Sequence, residues 1–268
     1  MNCGIVLCAG FGTRLRPVTE VIPKPAVPFL GHPMVWYALR SMKDAGISVI
    51  LANVHHLPDR MSSCLRASCM ALGLGEPRIY VESGDILGTA GGSRACLSMA
   101  DGASRFVIYH GDVLCGADLG AALESHVASG ASVSLVVAPR PPGCSLGMVG
   151  LCDGQIVRIR DWVARGYASR DWEPVCFTGI HIIERHILES VPPLGYSCLV
   201  TQVYPRLMSE GRPIHACLTD RYFADIGTPQ TYFDAQDWVV RHPEVLPDAD
   251  VSRAVSSWSE FLNTSGET

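Results

Sequence analysis

Short apolar runs alternate with helix-like segments along the first half of the chain. Five apolar runs have the length of β-strands: residues 3–7, 49–54, 78–81, 106–109 and 132–138. Four segments between them predict helices: residues 33–45, 58–72, 91–99 and 118–129. This alternation of strands and helices predicts an α/β fold, in which a mostly parallel twisted sheet carries helices on both faces.

The pattern changes after residue 140. Apolar runs at residues 148–151 and 155–159 flank Cys152-Asp153-Gly154, which predicts a hairpin. Residues 160–174 are rich in charged and aromatic side chains and predict a loop over a site. The remaining predicted elements are strands at 175–183, 212–218 and 221–224 and helices at 200–210 and 229–240.

This change of pattern suggests how the chain is organised. We expect residues 1–240 to form one domain, with a smaller lobe at about residues 140–220. Residues 241–268 should form a short helix and a frayed end.

Composition narrows the class of protein. Of the 268 residues, 48% are hydrophobic and 18% are charged, and the formal net charge of −5 argues against a broad nucleic-acid surface. No apolar run reaches the ~18–20 residues that span a bilayer. Eleven cysteines are scattered without any Cys-x-x-Cys pair, which indicates reduced thiols rather than a zinc site or a disulfide framework. With no signal peptide visible at the N-terminus, we expect a cytoplasmic protein without nucleic-acid or membrane partners.

A glycine-rich loop after the first predicted strand carries the strongest chemical signal. Gly10 and Gly12 permit a tight turn whose N–H groups can face an anion, and Arg14 and Lys24 add positive charge. The loop lacks the Gly-Lys-Ser/Thr ending of the Walker pattern, and Leu15 stands at the third glycine of the dinucleotide fingerprint. The residues therefore predict a phosphate-binding loop of a third kind.

The run from Gly10 to Thr19, with the following Pro23-Lys24-Pro25, resembles the sugar-1-phosphate nucleotidyltransferases. Residues 87–92, 110–114 and 223–229 also resemble family motifs, and the similarity covers roughly residues 3–235. The resemblance implies the Rossmann-like nucleotide-diphospho-sugar transferase fold with a small sugar-binding lobe. It also implies transfer of a nucleoside monophosphate from a nucleoside triphosphate to a sugar 1-phosphate, with Mg²⁺ as cofactor.

Residue roles follow from the resemblance. It implies that Arg14, Lys24 and Asp112 are catalytic and that Asp112 and Asp225 hold the metal. The implied nucleotide contacts are Leu7, Ala9, Gly10, Gly12, Thr13, Gly88 and Thr89. Of these, Gly88 would let a flat ring approach the backbone, and Thr89 would bond the edge of the base. The implied sugar contacts are Gly147, Asp161, Gly179 and Thr201.

The chain departs from the family in the predicted lobe. Where many members carry Glu-Lys-Pro, with the lysine on the sugar phosphate, this chain has Asp161-Trp162-Val163. One of three arginines could supply the missing charge: Arg158, Arg160 or Arg165. His110 stands where asparagine is common, and we expect a neutral, hydrogen-bonded histidine there rather than a catalytic base.

Several alternatives remain open at this level. GTP with mannose 1-phosphate or a related sugar phosphate is the first expectation, because residues 87–91 and the Pro-Lys-Pro context resemble mannose-1-phosphate guanylyltransferases. A uridylyl- or thymidylyltransferase acting on another sugar or cyclitol 1-phosphate is the second. A non-catalytic nucleotide-binding regulatory relative and a dehydrogenase are further readings, and the sequence leaves a homo-oligomer open.

Overall fold

The computed structural model describes residues 2–140, 147–167 and 172–255. Its strands are β1 (Asn2–Cys8), β2 (Pro28–Phe29), β3 (His32–Pro33), β4 (Ile50–Val54), β5 (Arg78–Val81), β6 (Arg105–His110), β7 (Val113–Cys115), β8 (Val133–Pro139), β9 (Met148–Cys152), β10 (Gln155–Ile159), β11 (Trp162–Val163), β12 (Glu173–Glu184), β13 (His215–Leu218) and β14 (Phe223–Asp225). The main strands of the first half lie within about two residues of their predicted positions.

The α-helices are α1 (Met34–Asp44), α2 (Pro58–Ala71), α3 (Gly88–Cys96), α4 (Leu119–Ser129), α5 (Arg185–Glu189), α6 (Tyr204–Ser209) and α7 (Pro229–Arg241). Helix α4 begins one residue after its predicted start, and the Asp118 carboxylate caps it by accepting the Ala121 N–H. Helix α3 begins three residues before its predicted start at residue 91. The helix predicted at 200–210 is a π-helical turn, Leu199–Val203, that continues into α6.

A ten-stranded sheet runs through the molecule in the order β11-β10-β13-β8-β12-β6-β1-β4-β5, with β9 paired to β10 and β12. Strands β6, β1, β4 and β5 are parallel, as expected. The expectation of a mostly parallel sheet is wrong for the other half, where β12 is antiparallel to β6, β8 and β9. Among the described residues, no helix lies between β8 and β12. A parallel pairing needs such a crossover, whereas antiparallel pairing does not.

Helices cover both faces of the sheet, as the sequence pattern predicts. Along β1, Cys3 and Ile5 point into a core shared with α3, α5 and α6. The alternate residues Val6 and Cys8 point into a second core shared with α1, α2, α4 and α7. Because neighbouring side chains of a strand face opposite sides, a sheet buried on both faces gives continuous apolar runs.

The chain after α7 returns to the second core, the one shared with α1, α2, α4 and α7. The Asp250 N–H donates to the Leu30 carbonyl at 2.8 Å, and Val255 exchanges two hydrogen bonds with the Gln236 side chain. The predicted frayed end falls largely on residues 256–268, which lie outside the described residues. Across the described ranges, none of the helices is long and apolar enough to span a membrane.

Candidate active site

Two adjoining cavities open where β1, β4 and β6 end, at the carboxyl edge of the parallel strands. They share three residues: Thr89, His110 and Asp112. The first cavity is also lined by the predicted contacts Leu7, Ala9, Gly10, Lys24 and Gly88. The second cavity is also lined by the predicted contacts Arg14, Gly147, Asp161, Gly179 and Asp225.

Three predicted contacts, Gly12, Thr13 and Thr201, do not line either of these two cavities. Gly12 shapes the loop instead. Its φ of 63° is left-handed, and its carbonyl accepts the Thr19 hydroxyl at 2.8 Å and the Leu15 N–H at 2.9 Å. Thr13 is exposed at the start of the next turn, and Thr201 is exposed on the π-helical turn beside the second cavity.

The two predicted metal aspartates lie side by side, although they are far apart in sequence. Strand β14 pairs antiparallel with β7 and sets Asp225 opposite Val113. The Ile226 N–H donates to the Asp112 carbonyl at 3.2 Å, which extends the pairing by one step. A short backbone ribbon therefore brings the two carboxylates to one cavity wall.

Opposing charges set the protonation of this carboxylate pair. Burial raises the pKa of Asp112, but the adjacent Lys24, which forms an ion pair with it, brings the net pKa below the ordinary value. For Asp225, burial and the negative charge of Asp112 raise the pKa, although Lys24 and Arg14 oppose the shift. Two neighbouring carboxylates in one cleft concentrate negative charge, which a cation would relieve.

Arg14 contacts the segment that follows Asp225. A Cβ atom added to Gly227 would lie 3.1 Å from both terminal nitrogens of the Arg14 guanidinium, so a larger residue there would displace the guanidinium by a few tenths of an ångström. The glycine loop and the β14 segment are thereby packed together at the edge of the second cavity.

A family model for nucleotidyl transferases matches residues 3–241. The chain belongs to the nucleotidyl transferase family. The resemblance identified in the glycine loop and the later motifs is confirmed.

Two curated relatives illustrate the range of this family. The UTP–glucose-1-phosphate uridylyltransferase of Synechocystis sp. is 29% identical over 242 residues, which are 86% of this chain and 61% of the relative. The mannose-1-phosphate guanylyltransferase of Mycobacterium tuberculosis is 28% identical over 258 residues, with 88% of this chain and 64% of the relative covered. The chain thus spans less than two thirds of the length of either relative.

A solved structure supports the fold. HddC from Yersinia pseudotuberculosis complexed with GMP-PN superposes with a TM-score of 0.69 at 22% identity, covering 88% of this chain and 98% of HddC. Similarity at this level supports the shared nucleotidyl transferase fold alone.

Gly88 and Thr89, which line the first cavity, also contact a neighbouring segment of the protein. Gly88 has a φ of 75°, and a Cβ there would lie 2.5 Å from the Ser197 carbonyl oxygen. That carbonyl accepts the Ala90 N–H at 2.9 Å, and the Thr89 hydroxyl accepts the Leu199 N–H at 2.9 Å. The two residues therefore hold the start of α3 against the segment that precedes α6.

Two of the three candidate arginines of the predicted lobe lie in the wall of the second cavity. Arg158 and Arg160 line the second cavity, together with Trp172. The Arg158 guanidinium lies 4.6 Å from the centre of the Trp172 ring, and its Nε donates to the Arg160 carbonyl at 2.8 Å. Arg165 does not line this cavity, and Trp162 is exposed on β11. The loop predicted at 160–174 thus borders the site through its described part, and residues 168–171 lie outside that part.

The two glycines predicted to contact the sugar both have a left-handed backbone conformation. The Phe177 N–H donates to the Gly147 carbonyl at 2.7 Å. Gly179 has a φ of 87° and lies in the irregular stretch of β12 between Phe177 and His181. Both positions have left-handed backbone, so they favour glycine whether or not a ligand is bound.

A buried pair that the sequence analysis did not single out connects the two walls of the first cavity. Asn53 and Glu82 are almost fully buried, and the Asn53 amide donates to Glu82 at 2.6 Å. The side-chain oxygen of Asn53 accepts the Cys8 N–H at 3.2 Å, and the Glu82 carboxylate accepts the Leu87 N–H at 2.8 Å. The pair therefore fixes the glycine loop relative to the start of α3. The available signal was a single amide in the apolar run 50–54.

We predict that swapping the amide and the carboxylate between positions 53 and 82 preserves stability, although each single change lowers it. Asn53→Asp sets two carboxylates face to face, and Glu82→Gln leaves two N–H groups facing each other. Each single variant should lose about 1–3 kcal/mol of the free energy of unfolding. The double variant restores every donor–acceptor match, so most of the loss should be recovered in urea unfolding.

The exposed Glu76→Gln change is the control, and it should cost less than about 0.5 kcal/mol. Additive losses in the double variant would contradict the assigned hydrogen bonds.

Proposed function

We propose that this chain is a sugar-1-phosphate nucleotidyltransferase, which transfers a nucleoside monophosphate from a nucleoside triphosphate to a sugar 1-phosphate. The observation that carries the proposal is the meeting of two cavities at Asp112, with Asp225, Lys24 and Arg14 grouped around it. Membership of the nucleotidyl transferase family and the names of the two relatives support the same reaction.

In this proposal, the first cavity takes the nucleotide and the second takes the sugar phosphate. A phosphate oxygen of the sugar 1-phosphate attacks the α-phosphorus, the bond to the β-phosphate breaks, and pyrophosphate leaves with the electron pair. The attacking oxygen is already ionised, so the step needs alignment and charge neutralisation rather than a general base. Lys24 would supply fixed positive charge in the first cavity, and Arg14 would supply it in the second.

The residues fit a magnesium ion. Within the described ranges, no three His, Cys, Asp or Glu side chains are grouped to hold a metal. Mg²⁺ typically needs only one or two protein carboxylates, because it keeps waters and takes further oxygens from phosphates. Asp112 and Asp225 would provide those carboxylates. When bound, the ion would neutralise phosphate charge and orient the reacting groups.

GTP with mannose 1-phosphate or a related sugar phosphate is the proposed first substrate pair. UTP with glucose 1-phosphate is the second candidate, since the uridylyltransferase relative is as similar as the guanylyltransferase relative. The test is a matrix of nucleoside triphosphates against sugar and cyclitol 1-phosphates, scored by release of pyrophosphate. One strongly preferred pair is expected. Nucleotide binding without pyrophosphate from any pair would instead favour a regulatory protein.

The proposed metal site predicts a loss of turnover. Asp112→Asn and Asp225→Asn should each lower kcat by at least about tenfold, because each replaces a negatively charged ligand of the proposed cation with a neutral amide. Far-ultraviolet circular dichroism and thermal melting should show an intact fold. Asp220→Asn alters a highly exposed aspartate nearby and should leave kcat within about twofold. A near-normal kcat in either site variant would remove that aspartate from the proposed mechanism.

The second cavity predicts a split between the two Michaelis constants. Arg160→Gln keeps most of the side-chain length but removes the charge. It should raise KM for the sugar 1-phosphate about tenfold and leave KM for the nucleotide within about twofold. Arg165→Gln is the matched control, because Arg165 is exposed and does not line the second cavity. Equal effects of the two variants would argue against phosphate binding by Arg160.

A further inference from the structure

A chain of three side chains leads from the junction of the two cavities into the core. His110 lines both cavities, and its Nε2 lies 3.3 Å from Nε2 of His181. Nδ1 of His181 is hydrogen-bonded to the Tyr204 hydroxyl. His181 and Tyr204 are fully buried, so bulk water does not compete for these bonds.

The buried end of this hydrogen-bond chain, at Tyr204, sets which group donates and which accepts at each step. Among the described residues, the only hydrogen-bond partner of the Tyr204 hydroxyl is Nδ1 of His181. A buried hydroxyl hydrogen needs an acceptor, and this nitrogen is the one within reach. Tyr204 therefore donates, and Nδ1 of His181 accepts.

The proton of His181 follows from this assignment. Burial, together with the nearby His110, lowers the pKa of His181 well below its ordinary value, so the ring is neutral. A neutral imidazole that accepts at Nδ1 carries its proton on Nε2. His181 therefore donates from Nε2 to Nε2 of His110.

The hydrogen bond that His181 donates also fixes the tautomer of His110. Because Nε2 of His110 accepts, the N–H of that ring is on Nδ1. Within the described part of the chain, no hydrogen-bond partner contacts Nδ1 of His110. A Cβ atom on Gly179 would lie 3.4 Å from this nitrogen, so the glycine leaves the ring edge uncrowded.

We infer that His110 presents a fixed Nδ1–H donor at the junction of the two cavities, and that this donor binds a phosphate oxygen of the sugar 1-phosphate. His181 and Tyr204 are positioning residues that hold the donating tautomer. The identity of the acceptor rests on the proposed function. An anionic oxygen is the acceptor that an N–H donor binds most strongly, and the positive charges of Lys24 in the first cavity and Arg14 in the second favour phosphate near this junction.

The tautomer can be measured without any substrate. In protein labelled with ¹⁵N-histidine, long-range proton–nitrogen spectra should show the proton of His110 on Nδ1 and that of His181 on Nε2. Tyr204→Phe removes the donor at the end of the chain, so both histidines should become mixtures of tautomers. An Nε2–H tautomer of His110 in the unmodified protein would overturn the inference.

Phosphate binding at the donor is tested in the same spectra. Inorganic phosphate should shift the Nδ1 resonance of His110 in the unmodified protein and shift it less in Tyr204→Phe. Tyr37→Phe is the matched control, because it removes another buried hydroxyl, bonded to the Phe29 carbonyl, away from the two cavities. It should leave the phosphate-induced shift unchanged. No shift on saturation with phosphate would overturn the inference, whatever the enzyme assay shows.

Kinetics test the positioning role. With the preferred substrate pair, Tyr204→Phe should raise KM for the sugar 1-phosphate about tenfold and leave KM for the nucleotide within about twofold. An unchanged KM alongside mixed tautomers would overturn the role.

A second pair of variants covers the case in which Tyr204→Phe fails to fold. His110→Asn keeps an N–H donor and should bind the sugar 1-phosphate at least about fivefold tighter than His110→Leu. Equal binding would contradict the proposal.

Failure of the proposed function has a different signature. It would leave every substrate pair without pyrophosphate release, while the tautomers and the phosphate-induced shift would still be readable.

Discussion

Three backbone pairs between β7 and β14 bring Asp225 beside Asp112, and the candidate site depends on this short ribbon. Two like charges held this close repel each other, so positive charge nearby stabilises the arrangement. The Lys24 ammonium and the Arg14 guanidinium provide it from the loops that follow β1. The backbone thus enforces a proximity that the side chains alone would oppose.

The sequence predicted those parts of the fold that depend on local pattern. Strands β1, β4 and β6 are buried on both sides and therefore read as largely apolar runs, and α1, α2 and α4 have clear periodicity or caps. The sequence pattern could not predict that β12 is antiparallel to its neighbours, because the direction of a strand depends on the route of the chain through space. Strand β7 and helix α5 are too short for periodicity to identify.

In the site, motif resemblance singled out residues that the fold brings together, but it did not indicate all of their protein contacts. Lys24, Asp112 and Asp225 are grouped, as their motifs suggested. Gly88 and Thr89 pack on the segment before α6, a contact that joins residues far apart in sequence and leaves no local trace. His110 was expected to be hydrogen-bonded, but its partner on β12 is visible only in three dimensions.

Strand β12 has a mechanical consequence. It is hydrogen-bonded to β6 on one side and to β8 and β9 along its other parts, so one continuous backbone belongs to both the parallel and the mixed halves of the sheet. A rigid-body swing of the β9–β10 hairpin away from the parallel strands would have to shear these ladders. Ligand entry and release should therefore depend on rearrangements of loops and side chains at the cleft, while the sheet itself stays stiff.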